Sequence, residues 1–161
     1  MRPTGLSLTT TAFSAHGPIP AQFTCDGDDR SPALAWSGLP QGTVSLALIA
    51  DDPDAPRGTW VHWVIYEIPA SLEGLPEGVT KVDAPVNVKG ALQGKNDFGR
   101  VGYGGPCPPP GPAHRYFFKV YALNASPGLR AGASKADLER AMHGHVLASA
   151  EIVGTYARAR R

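Results

Sequence analysis

The chain has 161 residues, of which 42% are hydrophobic and 18% charged, with a formal net charge of +1. This composition excludes a disordered chain, and the near-neutral balance excludes the basic stripe of a nucleic-acid binder. No apolar stretch is long enough to cross a bilayer as a helix, and Met1 to Thr11 hold no apolar run of the signal-peptide type, so the default location is cytoplasmic.

The 19 glycines and 16 prolines fall between short apolar runs without a period, a pattern of many strands joined by turns. Leu6 to Thr9 alternates apolar and polar residues as a half-buried strand does. Gly17 to Gly27 reads as a loop, and Leu34-Ala35-Trp36 as a short strand. Ser45 to Ala50 (SLALIA) is a buried strand that runs into Asp51-Asp52-Pro53-Asp54-Ala55-Pro56, where the prolines end any ladder. Thr59 to Ile68 (TWVHWVIYEI) is apolar or aromatic on both faces apart from His62 and Glu67, so it reads as a central strand covered on both sides. Asp83 to Lys95 is a weaker strand candidate, and Asn96 to Gly111 a long Gly/Pro-rich ordered loop. Tyr116 to Leu123 (YFFKVYAL) is another strong strand.

Ser134-Lys135-Ala136-Asp137 has the spacing of a capping box. Leu138, Met142 and Val146 recur every four residues, with Ala141 and Ala148 on the same side, which predicts one buried helical stripe. Ala150 to Tyr156 reads either as a strand or as more of that helix, and Arg158, Arg160 and Arg161 as a solvated basic tail. The expected architecture is mainly β: an antiparallel β-sandwich with a C-terminal helix, built as a single domain over residues 1–161.

Three segments place ionisable groups where apolar ones are expected. Asp52 and Asp54, two apart in extended chain, would point to one side, although an acidic turn in water would read the same. His62 interrupts an apolar strand, where a buried histidine needs partners for both ring nitrogens whether its role is structural or functional. His114 and Tyr116 share a face at a strand start, with Arg115 on the other face as a salt-bridge or surface residue. If these strands are neighbours, both aspartates, both histidines and Tyr116 meet at one rim, and backbone N–H groups around Gly104, Gly105 and Cys107 can turn toward an anion. Cys25 and Cys107 lack CxxC spacing; two free thiols are the cytosolic default, but their loops flank the pocket and a bridge within disulfide reach is the alternative.

The segments Asp52-Pro53-Asp54-Ala55-Pro56, Trp60-Val61-His62-Trp63, Tyr103 to Pro109 (YGGPCPP) and His114-Arg115-Tyr116 resemble the phosphatidylethanolamine-binding protein family, also called the Raf kinase inhibitor protein family, in its shorter bacterial and archaeal branch. Ser31 to Trp36 and Glu151 to Tyr156 extend the resemblance over nearly the whole chain. It implies a β-sandwich whose pocket binds a phosphate-containing small molecule or a phospholipid head group. It also implies regulation of a kinase or protease partner without catalysis, and a homodimer as one form of the protein. Carried over by motif, the ligand-binding residues are Asp52, Asp54, His62, Gly105, Cys107, His114 and Tyr116, with no metal and no cofactor. The eukaryotic pattern has glycine where Pro112 stands, with Gly111 one residue further back, so this loop takes its own shape.

Two ionised aspartates would repel an anion, so the expectation is that the carboxylates orient and charge the histidines, which donate outward. The competing reading is a hydrolase, metal-dependent or acid–base, using the same Asp/His pocket. Neither a metal motif of standard spacing nor a nucleophile elbow supports it. A third reading makes Pro106 to Pro112 a ligand for an SH3-like domain, but the surrounding glycines and motifs favour a rigid loop.

Overall fold

Short apolar runs of period two can bury themselves only by pairing edge to edge and stacking face to face, and this chain does both. The computed structural model describes residues 5–159. In chain order the elements are β1 (Ser7–Thr9), β2 (Leu34–Ser37), β3 (Ser45–Asp52), β4 (Trp60–Pro69), β5 (Gly74–Leu75), β6 (Leu92–Gln93), β7 (His114–Leu123), α1 (Lys135–Met142) and β8 (Val146–Tyr156). A three-stranded sheet runs β1-β2-β5 and a five-stranded sheet runs β6-β4-β3-β7-β8. Every pairing between these strands is antiparallel.

The larger sheet is covered on both faces, which is why β3 is buried at all eight positions. Its even residues, Leu46, Leu48 and Ala50, join Leu34 and Trp36 of the small sheet and Phe118 and Val120 of β7 in the main core. Its odd residues, Ala47 and Ile49, meet Leu138 and Met142 of α1 in a second core on the other face. Each fully buried Leu or Ile here contributes roughly 1.5–3 kcal/mol of transfer free energy.

Strand β4 carries two register shifts. Ala50 pairs with Trp63 while Asp51 pairs with Val61, leaving His62 as the extra residue of a β-bulge. Leu46 pairs with Ile68 and Leu48 with Ile65, a second bulge that includes Glu67 in a left-handed conformation (φ 56°). The Glu67 carboxylate accepts from Ser126 Oγ and from the Gly128 N–H.

Several sequence-based boundaries change. The capping box forms as expected, with Ser134 accepting from the Asp137 N–H and Asp137 accepting from the Ser134 N–H. The helix nevertheless stops at Met142, because Gly144 takes a left-handed conformation (φ 81°) and the chain turns back. Val146 and Ala148 therefore belong to β8, paired to Leu123 and Ala122, and Val146 is exposed. The weak strand over Asp83 to Lys95 reduces to Leu92–Gln93, while β3 runs two residues further, through Asp51 and Asp52. Cys25 and Cys107 form a disulfide, so the free-thiol default does not hold. Arg158 is not a frayed tail residue: it pairs with Asp26 at 3.0 Å. Arg160 and Arg161 lie outside the described residues. Among the described residues, no helix is long and apolar enough to cross a membrane.

Candidate functional site

The site lies where β3, β4 and β7 end together. Asp51 pairs with Phe117, so the strands deliver Asp52 beside Tyr116, on the face that looks toward the small sheet. His114, two residues before Tyr116 on that face, donates from Nδ1 to Asp52 Oδ2 at 2.7 Å. Asp52 Oδ1 accepts from the Asp54 N–H at 2.8 Å, which fixes the carboxylate.

The turn at Pro53 separates the two aspartates. Asp54 does not share the face of Asp52 but reaches Arg115, on the opposite side of β7. Arg115 donates to it from the backbone N–H, from Nε and from Nη2, each at 2.9 Å. This fork holds the Asp54 carboxyl down to about 2, against the upward push of partial burial. Each carboxylate thus has its own cationic or ionisable partner, but Asp54 is a buttress beside the pocket, not part of its wall.

The bulge aims His62. Trp63 points into the main core, and the extra residue leaves His62 on the same side, its ring edge-on to Tyr116 at 5.2 Å and to Phe98 at 5.4 Å. His62 Nδ1 donates to the Gly104 carbonyl at 2.6 Å. Burial lowers the His62 pKa, opposed by the Gly104 carbonyl and the Asp52 charge. A neutral ring with Nδ1 bound as a donor keeps Nε2 as an acceptor, so His62 does not follow the expectation of a carboxylate-charged histidine.

Tyr116 supplies the most informative atom. Its hydroxyl is buried and makes no hydrogen bond of standard length and angle, although the Asp52 carboxylate is close enough to act on it both as a charge and as a weak acceptor. Burial first, and then the Asp52 charge, push the phenol well above its ordinary range, so it remains a protonated donor. His62, His114 and Tyr116 line an open cavity of about 160 Å³, with Trp60, Phe98 and Pro108 on its other walls. At ~30 Å³ per water that is room for about five waters, the scale of a head group and not of an acyl chain.

The Gly/Pro loop differs from the expected amide cradle. The Gly104 N–H donates to the His62 carbonyl and the Gly105 N–H to Asp29 Oδ1, so both amides are engaged away from the small cavity. Cys107 lines that cavity, whereas Gly105 lines a neighbouring larger one. Phe98 and Asp29 escaped the sequence reading, which used Trp60 only as part of a family segment and not as a site residue. Phe98 and Asp29 lie in loops without periodicity, and Asp29 acts through a left-handed backbone (φ 57°) that no motif announces. Among the described residues, no three of His, Cys, Asp and Glu are grouped so as to hold a metal ion.

The fold is an antiparallel sandwich of two sheets with an Asp–His pair, a second histidine and a tyrosine at its rim. The phosphatidylethanolamine-binding protein family model matches residues 9–157, and the chain belongs to that family. It is 52% identical over 153 residues to a UPF0098 protein of Methanothermobacter thermautotrophicus, covering 95% of this chain and 99% of that one. Its fold is similar to that of Escherichia coli YbcL, with a TM-score of 0.89 and 35% identity, covering 95% and 98% of the two chains. It is also similar to CT736, a phosphatidylethanolamine-binding protein homologue from Chlamydia trachomatis, with a TM-score of 0.87 and 38% identity, covering 97% and 99%.

Proposed function

We propose that the chain acts as one non-enzymatic binding domain whose rim pocket takes a phosphate-type anion, free or as the head group of a larger molecule. The observation that carries this reading is the Tyr116 hydroxyl, a buried donor without a partner inside a cavity it shares with His62 and His114. A buried polar atom left unpaired costs about 1–3 kcal/mol, a penalty that a bound acceptor oxygen would relieve. His114, oriented by Asp52, supplies a second donor from Nε2 when it carries its proton, and neutral His62 supplies an acceptor for a protonated oxygen or an amine. The His114 hydrogen bond on Asp52 and the Arg115 ion pair on Asp54 reduce the repulsion that two bare carboxylates would exert.

The family resemblance extends the proposal to a regulatory role on a kinase or protease partner. The disulfide favours an oxidising compartment over a reducing cytoplasm, because cytosolic thiol systems keep accessible cysteine pairs reduced.

Calorimetric titration of phosphoethanolamine and of inorganic phosphate tests the reading. Tyr116→Phe should weaken binding by about 0.5–1.5 kcal/mol and leave the free protein as stable or more stable, since the lost hydroxyl has no partner to abandon. Unchanged affinity in Tyr116→Phe, or a destabilised protein with intact binding, would sink the proposal.

A further inference from the structure

A second cavity, of about 630 Å³, lies beside the histidine pocket across Phe98. That volume falls in the range of sites that enclose a drug-sized molecule. Its walls are apolar and aromatic: Phe98, Val101, Tyr103 and the Cys25–Cys107 disulfide.

The turn that carries Phe98 and Arg100 is set by Asn96, a buried side chain. Its Oδ1 accepts from the N–H groups of Phe98 and Arg100, and its Nδ2 donates to the Gly102 carbonyl. Phe98 stands edge-on to Trp60 at 5.5 Å and to His62, and it packs onto Gly104, where an added Cβ would come within 2.6 Å of the ring. It lines both cavities and stands between them, with part of its ring exposed.

The charges around the larger cavity are uneven. Asp29 accepts from the Gly105 N–H at 2.7 Å and from Lys81 Nζ at 3.4 Å, so its carboxylate is engaged within the wall. Lys81 also donates to the Asp29 carbonyl at 2.6 Å and lies 6.0 Å from the centre of the Tyr103 ring. Arg100 at the rim has no salt-bridge partner among the described residues. One negative and two positive side chains leave the cavity with a single uncompensated positive charge above an apolar floor.

We infer that this cavity is a second ligand site, distinct from the histidine pocket, for a small amphipathic monoanion: a carboxylate or sulfonate on an aromatic or branched apolar body, its charge at Arg100 and its body against Tyr103, Val101 and Phe98. The histidine pocket lacks this character, being about a quarter of the size and built around hydrogen-bonding groups.

Fluorescence titration with 8-anilinonaphthalene-1-sulfonate, alongside its uncharged counterpart N-phenyl-1-naphthylamine, tests the inference on the intact, oxidised protein. Arg100 uses its backbone, not its guanidinium, to hold the turn, so its replacement leaves the fold in place. The sulfonate should bind saturably at one site and more tightly than the neutral probe. Arg100→Ala should weaken the sulfonate by roughly threefold to tenfold and close the gap between the two probes, as loss of a partly screened ion pair does. Lys119→Ala, which removes an equal charge elsewhere on the surface, should keep the gap, and excess phosphoethanolamine should not displace the probe. Non-saturable binding, a gap that survives Arg100→Ala or closes equally in Lys119→Ala, or displacement by phosphoethanolamine would each overturn the assignment.

Discussion

The Cys25–Cys107 bond closes a loop with a sequence separation of 82 residues, about half of the chain. Restricting the unfolded chain over such a loop removes about 15 cal/mol/K of entropy in the chain-entropy account, or about 4.5 kcal/mol at room temperature. Both cysteines are solvent-exposed, so exchanging them for serine removes little packed surface, and the change reports the cross-link itself. The Cys25→Ser, Cys107→Ser double variant should lose about 3–4.5 kcal/mol in urea unfolding, the lower end allowing for residual order in the unfolded chain. At this chain length that corresponds to a melting temperature lower by roughly 6–18 °C. Wild-type protein under reducing conditions should behave like the double variant, and its urea dependence should steepen because the freed unfolded chain exposes more surface. A loss under about 1.5 kcal/mol in both arms would refute the reasoning, as would a non-reduced protein whose mass shows two free thiols.

Asp54 gives a pH-dependent prediction with a definite sign. Its folded pKa lies below the unfolded value, so its contribution is present above about pH 4 and is lost as pH falls toward about 2. A shift of about two units corresponds to ~2.5 kcal/mol at face value, but the pair is partly exposed and screened, so Asp54→Asn should cost about 1 kcal/mol at neutral pH. Urea unfolding across pH should show the gap to wild type closing in acid; a gap constant from pH 7 to 2 would refute the Arg115 assignment. Gly105→Ala should destabilise the protein by roughly 1–3 kcal/mol, because an added Cβ would lie 2.2 Å from the Phe23 carbonyl oxygen and 2.9 Å from the Thr24 Cα, both backbone atoms. Thermal melting checks this, and an unchanged melting temperature would show that the loop can move away.

The parts of this fold legible in the sequence were those governed by period. SLALIA and YFFKVYAL became β3 and β7 because continuous burial leaves few other solutions, and the Ser134 capping box marked the start of α1. The four-residue recurrence of Leu138, Met142 and Val146 misled beyond Met142, since a left-handed glycine outweighs a hydrophobic stripe. In the site, Asp52, His62, His114 and Tyr116 come together, but alternation alone places Asp54 on the wrong face because it takes no account of the Pro53 turn. The His62 bulge has no sequence signature: an extra residue in a strand is decided by the register of its neighbour. The cysteine pairing likewise depends on two loops meeting, which neither loop encodes alone.

The wall spanning residues 103–111 is fastened on several sides. Tyr103 bonds to the Phe23 carbonyl, Gly105 to Asp29, Cys25 to both the Pro106 carbonyl and Cys107, and Gly111 to the Arg158 carbonyl. The conformational freedom of a long Gly/Pro segment is thus surrendered when the protein folds, not when something binds. A molecule entering either cavity meets a finished surface and owes none of its affinity to ordering the loop. If the two cavities bind as proposed, selectivity resides in the side chains that flank this wall, such as Phe98, Arg100 and His114. One such scaffold can change what it recognises through single substitutions there, without changing the length or path of the loop.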